Sequence, residues 1–164
     1  MKLTLAATLA FGLALPFAAQ AQPAEPFKPG LGEIMSLQQM RHIKLWFAGK
    51  GGNWPLADYE LDEVKEGFED VVKYYPTHED VPTGPMAAAI IEKEVADLNK
   101  AIEAKNARQF AAGFEKLTAA CNACHQASNH PFIVVQRPAA NPYANQSFAP
   151  GKSEPMSMPM SHKH

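Results

Sequence analysis

Cys121-Asn122-Ala123-Cys124-His125 constrains this chain more than any other stretch. These are the only two cysteines in the sequence, and a histidine follows the second directly. The C-x-x-C-H spacing is the attachment signal for a c-type haem. Two thiols at this separation add across the two vinyl groups of the porphyrin. The adjacent imidazole then lies under the iron as proximal ligand. Three other fates for the pair are weaker. A redox dithiol stands at the start of a helix that follows a strand, whereas this pair closes a helical pattern with no strand-rich segment around it. A structural zinc site needs two more ligands at matched spacing; His125 and His130 are at hand, but a set packed that tightly has poor geometry. A disulfide between Cys121 and Cys124 leaves His125 unexplained.

The start of the chain supplies a matching context. Residues 1–21 read as a secretory signal peptide: one charge at Lys2, an uncharged apolar or small run from Thr4 to Ala19, and a small-x-small cleavage site at Ala19-Gln20-Ala21. Cleavage after Ala21 leaves a mature N-terminus at Gln22. The run is short and no second long apolar segment follows, so no membrane span is expected after cleavage. Covalent haem attachment takes place outside the bacterial cytoplasm, so the predicted compartment is the periplasm. Two cysteines in an oxidising compartment otherwise form a disulfide; attachment to haem is the competing fate. The formal net charge is −2, and the leader removes only Lys2. This balance does not suggest nucleic acid. It is compatible with docking to a basic patch on a redox partner protein.

Residues 22–30 are proline-rich and expected to be extended. Four helical patterns fill residues 31–128. The first covers residues 31–48, with Leu31, Ile34, Met35, Gln38, Arg41, His42, Leu45 and Trp46 on one side, and Gly49, Gly51 and Gly52 ending it. The second starts at Asn53, a good N-cap, with Pro55 in its first turn. Its stripe is Leu61, Val64, Phe68, Val71 and Tyr75, at spacings of three and four. A Pro/Gly-rich linker covers residues 76–85. The third spans residues 86–104, with Ile91, Val95, Leu98 and Ile102 as its apolar stripe. The fourth starts at Asn106, with Gln109 placed almost as in a capping box, and runs through Phe110, Phe114, Leu117, Cys121 and Cys124. The motif cysteines thus share a stripe with core residues, which buries the haem between helices. The predicted fold is all-α, an antiparallel four-helix bundle with haem attached at the C-terminal end of the fourth helix. Residues 129–164 lack periodicity and are expected to be irregular or disordered. Their end carries Met156, Met158, Met160, His162 and His164. Such a cluster suits Cu(I) or another soft metal, although a composition of this kind also arises without a function.

A C-x-x-C-H motif near the end of the fourth helix of a small exported bundle resembles the class II c-type cytochromes. That group includes cytochrome c-prime and its low-spin, methionine-ligated relatives. The resemblance spans about residues 31–128, and the motif is its specific part. It implies haem thioethers at Cys121 and Cys124, His125 as proximal iron ligand, and a first-helix residue on the distal side. A methionine there implies a six-coordinate, low-spin haem suited to electron transfer. An apolar residue there implies a five-coordinate iron that binds small gases such as NO or CO. Bundles of this family are often homodimers through their first two helices. The chain departs from the family in its tail, because residues 126–164 follow the motif where class II chains usually stop soon after.

The distal candidates on the first helix are Met35, Met40 and His42. The first and fourth helices are expected to run antiparallel, which sets Gly49 level with Ala107. At ~1.5 Å per residue, His125 lies about 27 Å along the bundle from that level, Met35 about 21 Å and His42 about 10 Å. Met35 is therefore the first candidate and His42 the runner-up. Met40 differs from Met35 by ~140° of helical phase. Met86 and His130 are outsiders. Arg41, Lys44 and Gln38 are candidates for the haem propionates, which need charge-assisted partners. The predicted protein is a periplasmic single-electron carrier with one covalent haem c. The alternative is gas binding at an open iron, and a third reading makes the Met/His tail the working part. No general acid/base pair or activated nucleophile is visible, so no enzyme is expected.

Overall fold

The computed structural model describes residues 27–151. The expected signal peptide at residues 1–21 and the Met/His-rich end at residues 156–164 lie outside the described residues. Among the described residues the regular structure is all helical, in four long rods. These are α1 (Leu31–Lys50), α2 (Trp54–Tyr74), a third rod made of α3 (Thr83–Ile90), a π-helical turn (Ile91–Val95) and α4 (Ala96–Glu103), and α5 (Ala107–Ala127). Each rod packs against the next in chain order, and α5 closes the ring against α1. Short links force antiparallel neighbours.

The local signals explain the boundaries. Asn53 Oδ1 accepts the Leu56 N–H at 3.3 Å, and Asn106 Oδ1 accepts the Gln109 N–H at 3.0 Å. Each satisfies one of the N–H groups that a helix start leaves without a partner. Gly52 turns the α1–α2 corner in the left-handed region, at φ 72°, a conformation open to glycine without strain. Asn129, at φ 60°, takes the same conformation where α5 ends.

The third rod differs from expectation at two points. It begins at Thr83 rather than residue 86, because Pro85 sits in the first turn, where no N–H is needed. Its stripe also shifts at the π turn. Ala87 and Ile90 are buried before the turn and Val95, Leu98 and Ile102 after it, while Ile91 is only partly buried. A π turn accommodates one extra residue, so Ile90 and Val95, five apart, both face inward.

Residues 129–151 are irregular, yet they pack on the bundle. The chain reverses after α5 and runs back toward the α1–α2 corner. Phe148 is buried against Phe47, with ring centroids 5.8 Å apart, and Asn53 Nδ2 donates to Ala149 O at 3.0 Å. Tyr143 packs on the core, and the Arg137 guanidinium lies 5.2 Å from the centroid of a Trp46 ring. The few apolar residues in this polar stretch suffice to hold it down as a strap. Among the described residues no helix is long and apolar enough to cross a membrane.

Candidate functional site

The bundle is tightly filled at one end and hollow at the other. A mostly apolar cavity of about 780 Å³ lies between the start of α1, the end of α2, the start of α3 and the end of α5. This volume is within the ~300–1,000 Å³ typical of ligand and cofactor pockets. Met35, Gln38 and His42 of α1 line it, with Phe68 and Val71 of α2, Ala87 and Ile90 of α3, and Cys121, Cys124 and His125 of α5. Residues 133–138 of the strap form the remaining wall.

The register between α1 and α5 decides which of these face one another. Trp46 packs against Phe114, with ring centroids 5.0 Å apart, and His42 Nε2 is 2.8 Å from Thr118 Oγ1. In an antiparallel pair, a step back on one helix matches a step forward on the other. Two turns, ~10.5 Å, back from His42 leads to Met35. Two turns forward from Thr118 leads to His125. Residues seven apart share a helix face, so Met35 and His125 stand at one level on opposed faces of the cavity.

The two thiols are partly buried and unbridged. Burial pushes the Cys121 thiol up to about 12, with Cys124 beside it adding to the effect, and burial also raises Cys124. Both remain protonated at neutral pH. Reactive dithiols have lowered values in electropositive surroundings, so this pair is not poised for thiol–disulfide exchange.

His125 Nδ1 is 3.0 Å from Ile133 O. A carbonyl oxygen only accepts, so Nδ1 carries the proton. In the neutral ring Nε2 then keeps its lone pair, the form that binds a metal. His42 is set up in the opposite way. Thr118 donates its own proton to Phe114 O at 2.8 Å, so Thr118 Oγ1 accepts from His42 and the proton sits on His42 Nε2. The nitrogen nearest Thr118 therefore has no free lone pair. Burial holds His42 down to about 4, so the ring is neutral. It also stacks on Phe114 at a centroid distance of 4.3 Å. The residue is a hydrogen-bonded member of the cavity floor.

The remaining candidates divide. Met40 and Met86 do not line the cavity, whereas His130 does, with its Nδ1 donating to Ser128 O at 2.5 Å. Arg41 pairs with Glu63 at 2.8 Å and Lys44 with buried Glu60 at 3.7 Å. Both cations thus serve α2, and neither lines the cavity. Gln38 does line it, but its amide donates to Val64 O at 2.7 Å. Arg137, to which the sequence assigns no role, lines the cavity and pairs with Glu115 at 2.9 Å. Thr118 and Ile133 also escape a sequence reading, because one acts through its hydroxyl and the other through its carbonyl.

The residues present fit a covalently held haem. Two thiols and an imidazole with a free Nε2 line one wall. A thioether stands level with the imidazole, apolar side chains surround them, and the volume suits a cofactor. Among the described residues no three His, Cys, Asp or Glu side chains form a group able to hold a metal ion by themselves. No family model, curated protein or solved structure matches this chain.

Proposed function

We propose that this chain is a periplasmic, mono-haem c-type cytochrome of the class II kind, carrying single electrons between redox partner proteins. The observation that carries the reading is the register that sets Met35 opposite His125 across a cavity also lined by Cys121 and Cys124. Bound there, haem c supplies a one-electron Fe(III)/Fe(II) couple. Cys121 and Cys124 would hold it through two thioether links. His125 would hold the iron through Nε2, which is left bare because Ile133 O takes the proton on Nδ1, and Met35 would offer its sulfur from the facing helix. The apolar wall from Phe68, Val71, Ala87 and Ile90 excludes water, and the strap covers the side that the four helices leave open.

The test is the absorption spectrum of the protein purified from a bacterial host that matures c-type cytochromes, oxidised and reduced, with and without CO. Sharp α and β bands on reduction with no CO response are the expected result. A high-spin spectrum that shifts on adding CO assigns an open iron and gas binding instead. Absence of covalent haem ends both readings.

A further inference from the structure

Asn122 occupies the first variable position of the Cys121–His125 motif, and its side chain makes an unusual pair of bonds. Nδ2 donates to Val135 O at 2.9 Å, and Oδ1 accepts the Val135 N–H at 2.8 Å. A side-chain amide that engages both polar groups of one residue fixes it in place and in orientation, as a neighbouring strand does. Two residues earlier in the strap, Ile133 O is the acceptor for His125 Nδ1.

Little else holds that part of the strap. Phe132, Ile133 and Val134 are 76%, 45% and 62% exposed, so side-chain burial does not anchor them. The turn bond from Ile133 N–H to His130 O at 3.0 Å is local. The Arg137–Glu115 pair is exposed, and exposed pairs contribute little. The Asn122 clasp is the long-range anchor closest to Ile133.

We infer that Asn122 is a positioning residue for His125. By clamping Val135 it keeps the Ile133 carbonyl on the imidazole, which orients the ring and fixes the tautomer with Nε2 bare. The consequence for the potential rests on the proposed reading of His125 as an iron ligand; the tautomer does not. A proximal imidazole whose N–H is donated becomes a better electron donor, which favours Fe(III). Loss of the clasp therefore raises the potential.

The experiment compares the full chain with its Asn122→Ala and Asn122→Asp variants, the second keeping the acceptor for Val135 N–H and losing the donor. Nitrogen-15 NMR of the reduced protein follows exchange of the His125 Nδ1 proton. Electrochemistry of the haem-loaded protein gives the midpoint potential. The expected result is Nδ1 proton exchange at least ~10-fold faster in Asn122→Ala, with Asn122→Asp between it and the parent. The Fe(III)/Fe(II) ratio should shift toward Fe(II) by roughly 10-fold, about 59 mV for one electron. Unchanged exchange in both variants overturns the inference, and so does faster exchange with an unmoved potential. If Asn122→Ala does not fold, Asn122→Asp decides. If the parent carries no covalent haem, the proposed function falls, and the exchange measurement alone then decides the role of Asn122.

Discussion

The two ends of the α1–α5 pair share one register and one backbone geometry, yet one is solid and the other hollow. At the solid end, Trp46 stacks on Phe110 and packs tilted against Phe114, and Leu45, Leu98 and Leu117 are fully buried. Gly49 gives way to Phe110 so closely that an added Cβ would stand 2.1 Å from its ring. At the hollow end the same helices present Gly32, Ser36, Cys121 and Cys124, and α3 presents Ala87. Side-chain size, not helix splay alone, makes the cavity. His42 and Thr118 mark the boundary. The tightest packing of the bundle thus lies away from the cavity, which leaves the other end with room for a large group.

The largest test of this division is Phe114→Ala. Phe114 is wholly buried, and truncating such a side chain costs ~3–5 kcal/mol. Denaturant melts should show it as a large drop in midpoint with an unchanged slope. A loss below about 1 kcal/mol would mean that the solid end does not carry the fold.

The boundary itself should respond to acid. His42 is held down to about 4 from 6.5 by burial. Between those values the unfolded chain takes up a proton that the folded chain refuses, so stability is full above about pH 6.5 and falls as pH drops toward 4. At ~1.4 kcal/mol per unit, the total loss is on the order of 3 kcal/mol. Burial shifts Glu60 upward, which acts in the opposite sense and tempers the fall. Melts from about pH 7 to about pH 4.5 on the parent and on His42→Gln check this. The variant should have a much flatter profile; equal slopes would remove His42 as the cause.

The solid end was far more legible in the sequence than the hollow one. Spacings of three and four named Leu61, Val64, Phe110, Phe114 and Leu117 as core, because a helix repeats every ~3.6 residues. Asn53 and Asn106 announced their helices through side chains that cap. Of the cavity lining, the sequence singled out Cys121, Cys124 and His125 by the spacing of their motif, and Met35 and His42 by their place on the first helix. Beyond Phe148 and Tyr143, the strap was not legible, since its other anchors include backbone groups: Val135 N–H and O, Ile133 O and Ala149 O. Backbone atoms are the same in every residue, so no residue pattern marks them. The π turn escaped for a related reason: a continuous stripe through Ile91 is as consistent with the sequence as the shifted one through Ile90.

Glycine substitutions sharpen the contrast at smaller scale. Gly49→Ala places a methyl group 2.1 Å from Phe110 Cζ, and overpacking of this kind costs ~1–3 kcal/mol. Gly32→Ala, in the first turns of the same helix at the hollow end, meets nothing within 4 Å. It should stabilise by ~0.4–1 kcal/mol, because alanine gives up less backbone entropy on folding. Paired thermal melts read the two signs directly, and equal effects would erase the distinction between the ends.

Met35→Leu pairs a small stability change with the sharpest functional one. Met35 is only partly buried at the cavity edge of α1. Leucine conserves its volume and has an equal helix preference, so the cost should stay below about 1.5 kcal/mol. A methionine that merely fills a gap would be replaced without any other consequence. A methionine that faces His125 across a haem would lose its sulfur ligand. The variant should then turn from a low-spin protein indifferent to CO into a high-spin one that binds it, with its melting curve almost unmoved. If the spectrum of Met35→Leu is that of the parent, the sulfur is not a ligand. The hollow end would then need its sixth ligand, if it has one, from His42 or from the strap.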